Sequence, residues 1–140
     1  GGFCSEKTLR RIMEHTDLIL YDVKETDSRR HLEFTGVPNE PILSNLRRLS
    51  EGGQKMVLRC PLIPGKNDRR EHALGIASLA NALHGIQGIE VEPYHPLGVT
   101  KSLRFGRKAA YERDSFMAKD EAESFADLIR RHTAVPVIVK

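Results

Sequence analysis

Asp22 and Lys24 stand two residues apart at the end of the apolar run LILYDVK. Strand periodicity sets both side chains on one side, with Val23 opposite. A carboxylate and an ammonium so placed can hold a zwitterionic or polyhydroxylated ligand. The acid would take hydroxyls or a cation, and the lysine a carboxylate. A surface salt bridge at a strand–loop junction is the competing reading. Arg59 lies inside the apolar run MVLRC. A charge there must face a cavity or pair with a carboxylate such as Asp22. His95 follows Tyr94 directly after a third run, VEPYH. A lone histidine there can be structural or functional, and Tyr94 could stack on a base. Glu90 and Glu92 alternate with Ile89 and Val91, on the strand face of Tyr94. They face solvent on an ordinary sheet and become cavity carboxylates if that face lines a barrel. All three runs put polar residues at the carboxyl ends of strands, where α/β proteins build their sites.

The chain has two cysteines, Cys4 and Cys60, far apart. They give neither a disulfide framework nor a metal quartet. Cys60 reads as a buried small hydrophobe inside a strand. No nucleophile elbow, phosphate-binding loop or dinucleotide fingerprint occurs. The remaining histidines, His15, His31, His72, His84 and His132, sit on or near helices without metal spacing.

The elements that must position these residues alternate. Ser5 caps a helix running to about His15, with Leu9, Ile12 and Met13 on one face. Asp17 to Tyr21 reads as a strand buried on both faces. A helical turn covers Ser28 to Phe34, and Gly36 to Pro38 breaks it. Asn39 caps a helix with Pro41 in its first turn, ended by Gly52 and Gly53. Lys55 to Cys60 is a second strand, stopped by Pro61. Asn67 or Asp68 caps a helix to about His84, which buries Ala73, Ile76, Ala77, Ala80 and Leu83. Ile89 to Glu92 is a third strand. A loop from Pro93 to about Lys119 carries Lys101, Arg104, Arg107 and Lys108, which can dock a partner or simply be solvated. Asp120 to His132 is the last helix and Val135 to Val139 the last strand. Strands alternating with helices argue for βαβ units, right-handed crossovers and a parallel sheet. Such a sheet with helices on one face resembles half a barrel and leaves a strand edge exposed.

At 140 residues the chain is one α/β unit, residues 1–140. Net charge is +3, and the arginine pairs scatter over several helices as solvated faces. With no aromatic interleaving, a nucleic-acid partner is not expected. No membrane-length apolar run and no targeting segment occurs, so the expected setting is cytoplasmic, without a membrane partner. Gly1-Gly2-Phe3 reads like the middle of a turn, so the chain is expected to be part of something longer.

Together, HTDLILYDVK, EFTGVPNEPILSNLRRL, VLRCPLIPGKND and IEVEPYHPLGVTK resemble the carboxyl half of radical S-adenosylmethionine enzymes that activate glycyl radical enzymes, the pyruvate formate-lyase activating type. The resemblance implies a partial (β/α)6 TIM-like barrel with helices on the outer face, of which this chain is the C-terminal half. It implies S-adenosylmethionine as cofactor and a 4Fe–4S cluster in the whole family. It implies a glycyl radical enzyme as partner and a flavodoxin or ferredoxin as reductant. Lys24 would meet the cofactor's carboxylate. Asp22 would help hold the cofactor and a monovalent cation, with the Leu20 carbonyl as another cation ligand. His95 would lie against the nucleoside, and Arg59 would be a catalytic-site residue near cofactor and substrate peptide. The family's cysteine triad is absent, so this chain carries no cluster ligands and is expected to be inactive alone. Glu92 departs from the family, where many members have an apolar residue. The alternative is a non-catalytic homologue that binds a nucleoside or a partner.

Overall fold

A computed structural model describes residues 2–96 and 115–140. Their elements, in order, are α1 (Glu6–Glu14), β1 (Ile19–Asp22), α2 (Ser28–Thr35), α3 (Glu40–Glu51), β2 (Met56–Leu62), α4 (Arg70–Ala82), β3 (Ile86–Pro93), α5 (Lys119–Arg130) and β4 (Val137–Val139). The four strands form one sheet in the order β1-β2-β3-β4. All pairings are parallel, with Asp22 opposite Arg59, Arg59 opposite Glu90, and Glu90 opposite Ile138. The expected α/β fold with a parallel sheet is therefore present.

Period-two alternation divides the sheet. Met56, Leu58, Cys60 and Leu62 of β2, with Ile89 and Val91 of β3, are fully buried in one apolar cluster. That cluster also holds Leu46 and Leu49 of α3, Ile76 and Ala77 of α4, and Phe125 and Ile129 of α5. Each such aliphatic side chain contributes about 1.5–3 kcal/mol of burial. The helices thus cover one face, as expected for barrel-like units. The opposite face carries Leu20, Asp22, Val57, Arg59, Glu90, Glu92 and Ile138, none of them buried. The expectation of a first strand buried on both faces fails here. Leu18 and Leu20 are 47% and 53% exposed, because no described element covers their side of β1.

Several boundaries also differ. β2 runs through Pro61 to Leu62, and β3 starts at Ile86. Ser5 caps α1 as expected, accepting from the Thr8 amide, but Ile12 is exposed. Asn39 makes no cap bond, and α4 starts after Arg69 instead of at a capped Asn67 or Asp68. Both asparagines are used elsewhere, as described below. No described helix is long and apolar enough to cross a membrane. Lys101, Arg104, Arg107 and Lys108 lie outside the described residues.

Candidate functional site

Asp22, Arg59 and Glu92 meet on the open face, Asp22 at the end of β1 and Glu92 next to the end of β3, but Arg59 midway along β2, which runs past the expected stop at Pro61. Parallel register sets Asp22, the last residue of β1, beside Arg59, whose partner on β3 is Glu90, two residues before Glu92. The Arg59 guanidinium donates from Nε (2.7 Å) and Nη2 (2.5 Å) to Glu92 Oε1. Its Nη1 lies 3.8 Å from Asp22 Oδ1. The expected pairing of Arg59 with a carboxylate is present, and Glu92 is its nearer partner. The Glu92 bond, opposed by burial and helped by the charges of Glu92, Asp22 and Glu90, holds the guanidinium above its ordinary pKa. Beside this trio Lys140 Nζ lies 2.9 Å from Glu90 Oε1. Glu90 and Glu92 therefore lie on the open sheet face, each engaged by a cation.

Lys24, just past the end of β1, is exposed and lines a cleft of about 480 Å3 with Phe34, Pro61, Ile63, Lys66 and Asn67. Lys66 Nζ sits 5.2 Å from the Phe34 ring centroid, a cation–π distance. His95 is exposed too. It lines a different recess, with Tyr94, Phe116, Met117, Val139 and Lys140. The structure therefore brings Asp22 and Arg59 together, sets Lys24 in a neighbouring cleft, and places His95 at the far side of the sheet, beyond β3.

Sequence reading missed the cluster directly behind Lys24. The Glu25 side chain is fully buried. Its Oε1 accepts from the amides of Thr26 (2.9 Å) and Asp27 (3.0 Å). Its Oε2 accepts from Arg69 Nη2 at 2.9 Å and lies 3.7 Å from Arg30 Nε. Burial pushes this carboxyl's pKa up. Donation from the Asp27 amide, the charge His72 carries once protonated, and the bond and charge of Arg69 outweigh burial and leave it below the ordinary value. His72, also buried, accepts the Thr26 amide at Nδ1 (3.1 Å). An accepting Nδ1 places the proton on Nε2, so the ring is neutral. Burial lowers its pKa to about 4, against the raising effect of Glu25. Arg30 and Arg69, read from sequence as solvated, are thus counterions of a buried acid. No sequence motif marks this glutamate; KETD looks like an ordinary polar loop.

Cys60 is wholly buried on the helix-covered face, and burial, then Glu92 and Asp22, push its thiol pKa up. Cys4 lies near α3, its Sγ 3.9 Å from Asn45 Nδ2. A thiol held protonated inside the core and a second one at α3 do not fit cluster ligation, which needs several convergent thiolates.

No family model matches the chain. It is 34% identical over 134 residues to the choline trimethylamine-lyase activating enzyme of Oleidesulfovibrio alaskensis, covering 94% of this chain and 43% of that protein. It is 35% identical over 116 residues to the pyruvate formate-lyase-activating enzyme of Staphylococcus aureus, covering 83% of this chain and 45% of that protein. The chain thus spans less than half the length of these relatives. Among solved structures, a domain of a pyruvate formate-lyase-activating enzyme from Bacteroides vulgatus superposes with TM-score 0.76 at 23% identity, over 97% of this chain and 74% of that one. A radical SAM methyltransferase from Sphaerobacter thermophilus gives 0.68 at 15% identity, over 96% and 37%. These two likenesses establish the fold.

Proposed function

We propose that this chain, a homologue of glycyl-radical-enzyme activating enzymes over less than half their length, forms one wall of an S-adenosylmethionine site in such an enzyme. Residues 1–140 would be the C-terminal part of a partial barrel whose other part carries the 4Fe–4S cluster. The observation that carries the reading is the open sheet face: charged side chains of three adjacent parallel strands meet there, in a chain 34–35% identical to these relatives. Lys24 holds the cofactor carboxylate as a point charge on a flexible stem. Asp22 accepts from its polar groups and helps hold a monovalent cation, with the Leu20 carbonyl. His95 lies against the nucleoside. Arg59, steered by Glu92, stands near cofactor and substrate. S-adenosylmethionine supplies the adenosyl group of the reaction. The cysteines here do not fit the cluster, so no redox step is assigned to this chain. The partner is a glycyl radical enzyme, the reductant a flavodoxin or ferredoxin, and the setting cytoplasmic.

Titration by amide chemical-shift mapping tests the reading, since it detects millimolar binding. S-adenosylmethionine is expected to shift Asp22, Lys24 and Arg59. Lys24→Ala should weaken it about tenfold, the worth of one charge-assisted contact. The same change should leave 5′-methylthioadenosine, which lacks the carboxylate, unaffected. Equal weakening of both ligands, or none of either, overturns the assignment of Lys24.

A further inference from the structure

Buried side chains hold three carbonyls and two amides of the backbone at residues 24–27. Asn67 Nδ2 donates to the Lys24 carbonyl (2.8 Å) and to the Pro61 carbonyl (2.7 Å). Asn39 Nδ2 donates to the carbonyls of Glu25 (3.1 Å) and Thr26 (3.0 Å). Glu25 Oε1 takes the amides of Thr26 and Asp27, and His72 Nδ1 shares that of Thr26. Asn39, Asn67, Glu25 and His72 are each at most 3% exposed. Gly75 of α4 completes the enclosure. A Cβ on it would lie 2.5 Å from Thr26 Oγ1 and 2.8 Å from Thr26 Cβ, so only glycine lets the helix approach the loop this closely.

Three separate elements thus converge on one short segment. Asn39 comes from the start of α3, Asn67 from the turn after β2, and His72 and Gly75 from α4. A solvated loop needs none of this, because water satisfies its backbone groups. A buried network that satisfies the backbone it encloses fixes a single conformation, and of the enclosing side chains only His72 keeps a buried polar atom, Nε2, without a partner. We infer that Asn39, Asn67, Glu25, His72 and Gly75 form a clamp that presets the backbone of residues 24–27 and so fixes the point and direction from which the Lys24 side chain reaches into its cleft. These are positioning residues, acting through Lys24. The inference rests on the proposed role of Lys24 for its consequence, and on the geometry alone for its existence.

Two measurements on the whole chain separate the clamp from that role. The first is S-adenosylmethionine affinity in a double-mutant cycle. Asn67→Ala and Gly75→Ala should each weaken binding about fivefold. Neither should weaken it further once Lys24 is alanine, because a positioning residue has nothing left to position. Unchanged affinity in both variants, or an equal loss in the Lys24→Ala background, overturns the clamp's effect on binding. An unchanged urea unfolding midpoint in at least one of the two variants guards against loss of fold. The second measurement needs no ligand. Asn39→Ala and Gly75→Ala should speed amide exchange at Thr26 and Asp27 at least tenfold, leaving Leu58 and Ile89 unchanged. Uniform acceleration, or none at Thr26 and Asp27, overturns the clamp itself. If Lys24→Ala alone leaves affinity unchanged, the proposed function falls while the exchange result still decides the clamp.

Discussion

Two carboxylate–guanidinium clusters lie near neighbouring strand ends, and they differ chiefly in exposure. Behind Lys24, the Glu25 carboxylate is 0% exposed and meets Arg69, Arg30, His72 and two backbone amides. On the open sheet face, Arg59, Glu92 and Asp22 are 34%, 25% and 26% exposed at the side chain. The closed cluster cannot admit a ligand without losing bonds that compensate a buried charge. The open one keeps surface for a ligand and holds its arginine with one strong partner. One chemical pairing therefore serves for fixing backbone in one place and for presenting charge in the other, and burial decides which.

Three changes probe that difference, in order of expected size. Glu25→Ala removes the buried acid, strips the Thr26 and Asp27 amides of their acceptor, and leaves the half-buried Arg69 with only Glu71 at 3.4 Å. Breaking a buried pair costs about 3–5 kcal/mol, readable as a lower midpoint in urea unfolding with unchanged slope. A loss under about 1 kcal/mol would place this cluster in the same class as the exposed one.

The next effect is a pH dependence. His72 titrates near 4 when folded and near 6.5 when unfolded. Below 6.5 the unfolded chain binds the extra proton, so stability falls as pH drops from about 6.5 to about 4. The contribution is at most about 3 kcal/mol, taking each pKa unit as 1.36 kcal/mol. Glu25, depressed below its ordinary value, extends the loss to lower pH as it protonates. Urea midpoints measured across this window should flatten in His72→Gln. An unchanged slope in that variant would remove His72 from the account.

Smallest is Glu92→Gln. It weakens the Arg59 pair on the open face and should cost less than about 1 kcal/mol, with an effect that shrinks in high salt. A cost like that of Glu25→Ala, insensitive to salt, would erase the contrast between the clusters.

Much of the fold and part of the site were legible from sequence for physical reasons. Helical and strand periods alternate along the chain, so parallel βαβ order followed. A charge within MVLRC had to find an acid, and Arg59 did. Other features were hidden because one local pattern serves two ends. LILY reads as doubly buried whenever its cover is unspecified, yet Leu18 and Leu20 are open. Asn39 and Asn67 precede helices as caps do, but turn their amides onto the Lys24–Thr26 carbonyls. Glu25 gave no sign, since its burial depends on Arg69 and His72, more than forty positions away in sequence. His95 follows a strand like the other candidates, but parity and strand order place it in a recess beyond β3.

The strand order β1-β2-β3-β4 carries a consequence for how this molecule is made. Among the described residues each strand after β1 hydrogen-bonds to the one synthesised just before it, so these ladders do not wait for a distant segment to emerge. The sheet can grow outward one crossover at a time as the nascent chain lengthens. Parallel pairing still requires closing a long crossover before any ladder bond forms, which makes each addition slow compared with helix formation. Until the next strand docks, the newest one is an open edge, a window in which the growing chain is exposed to misassembly.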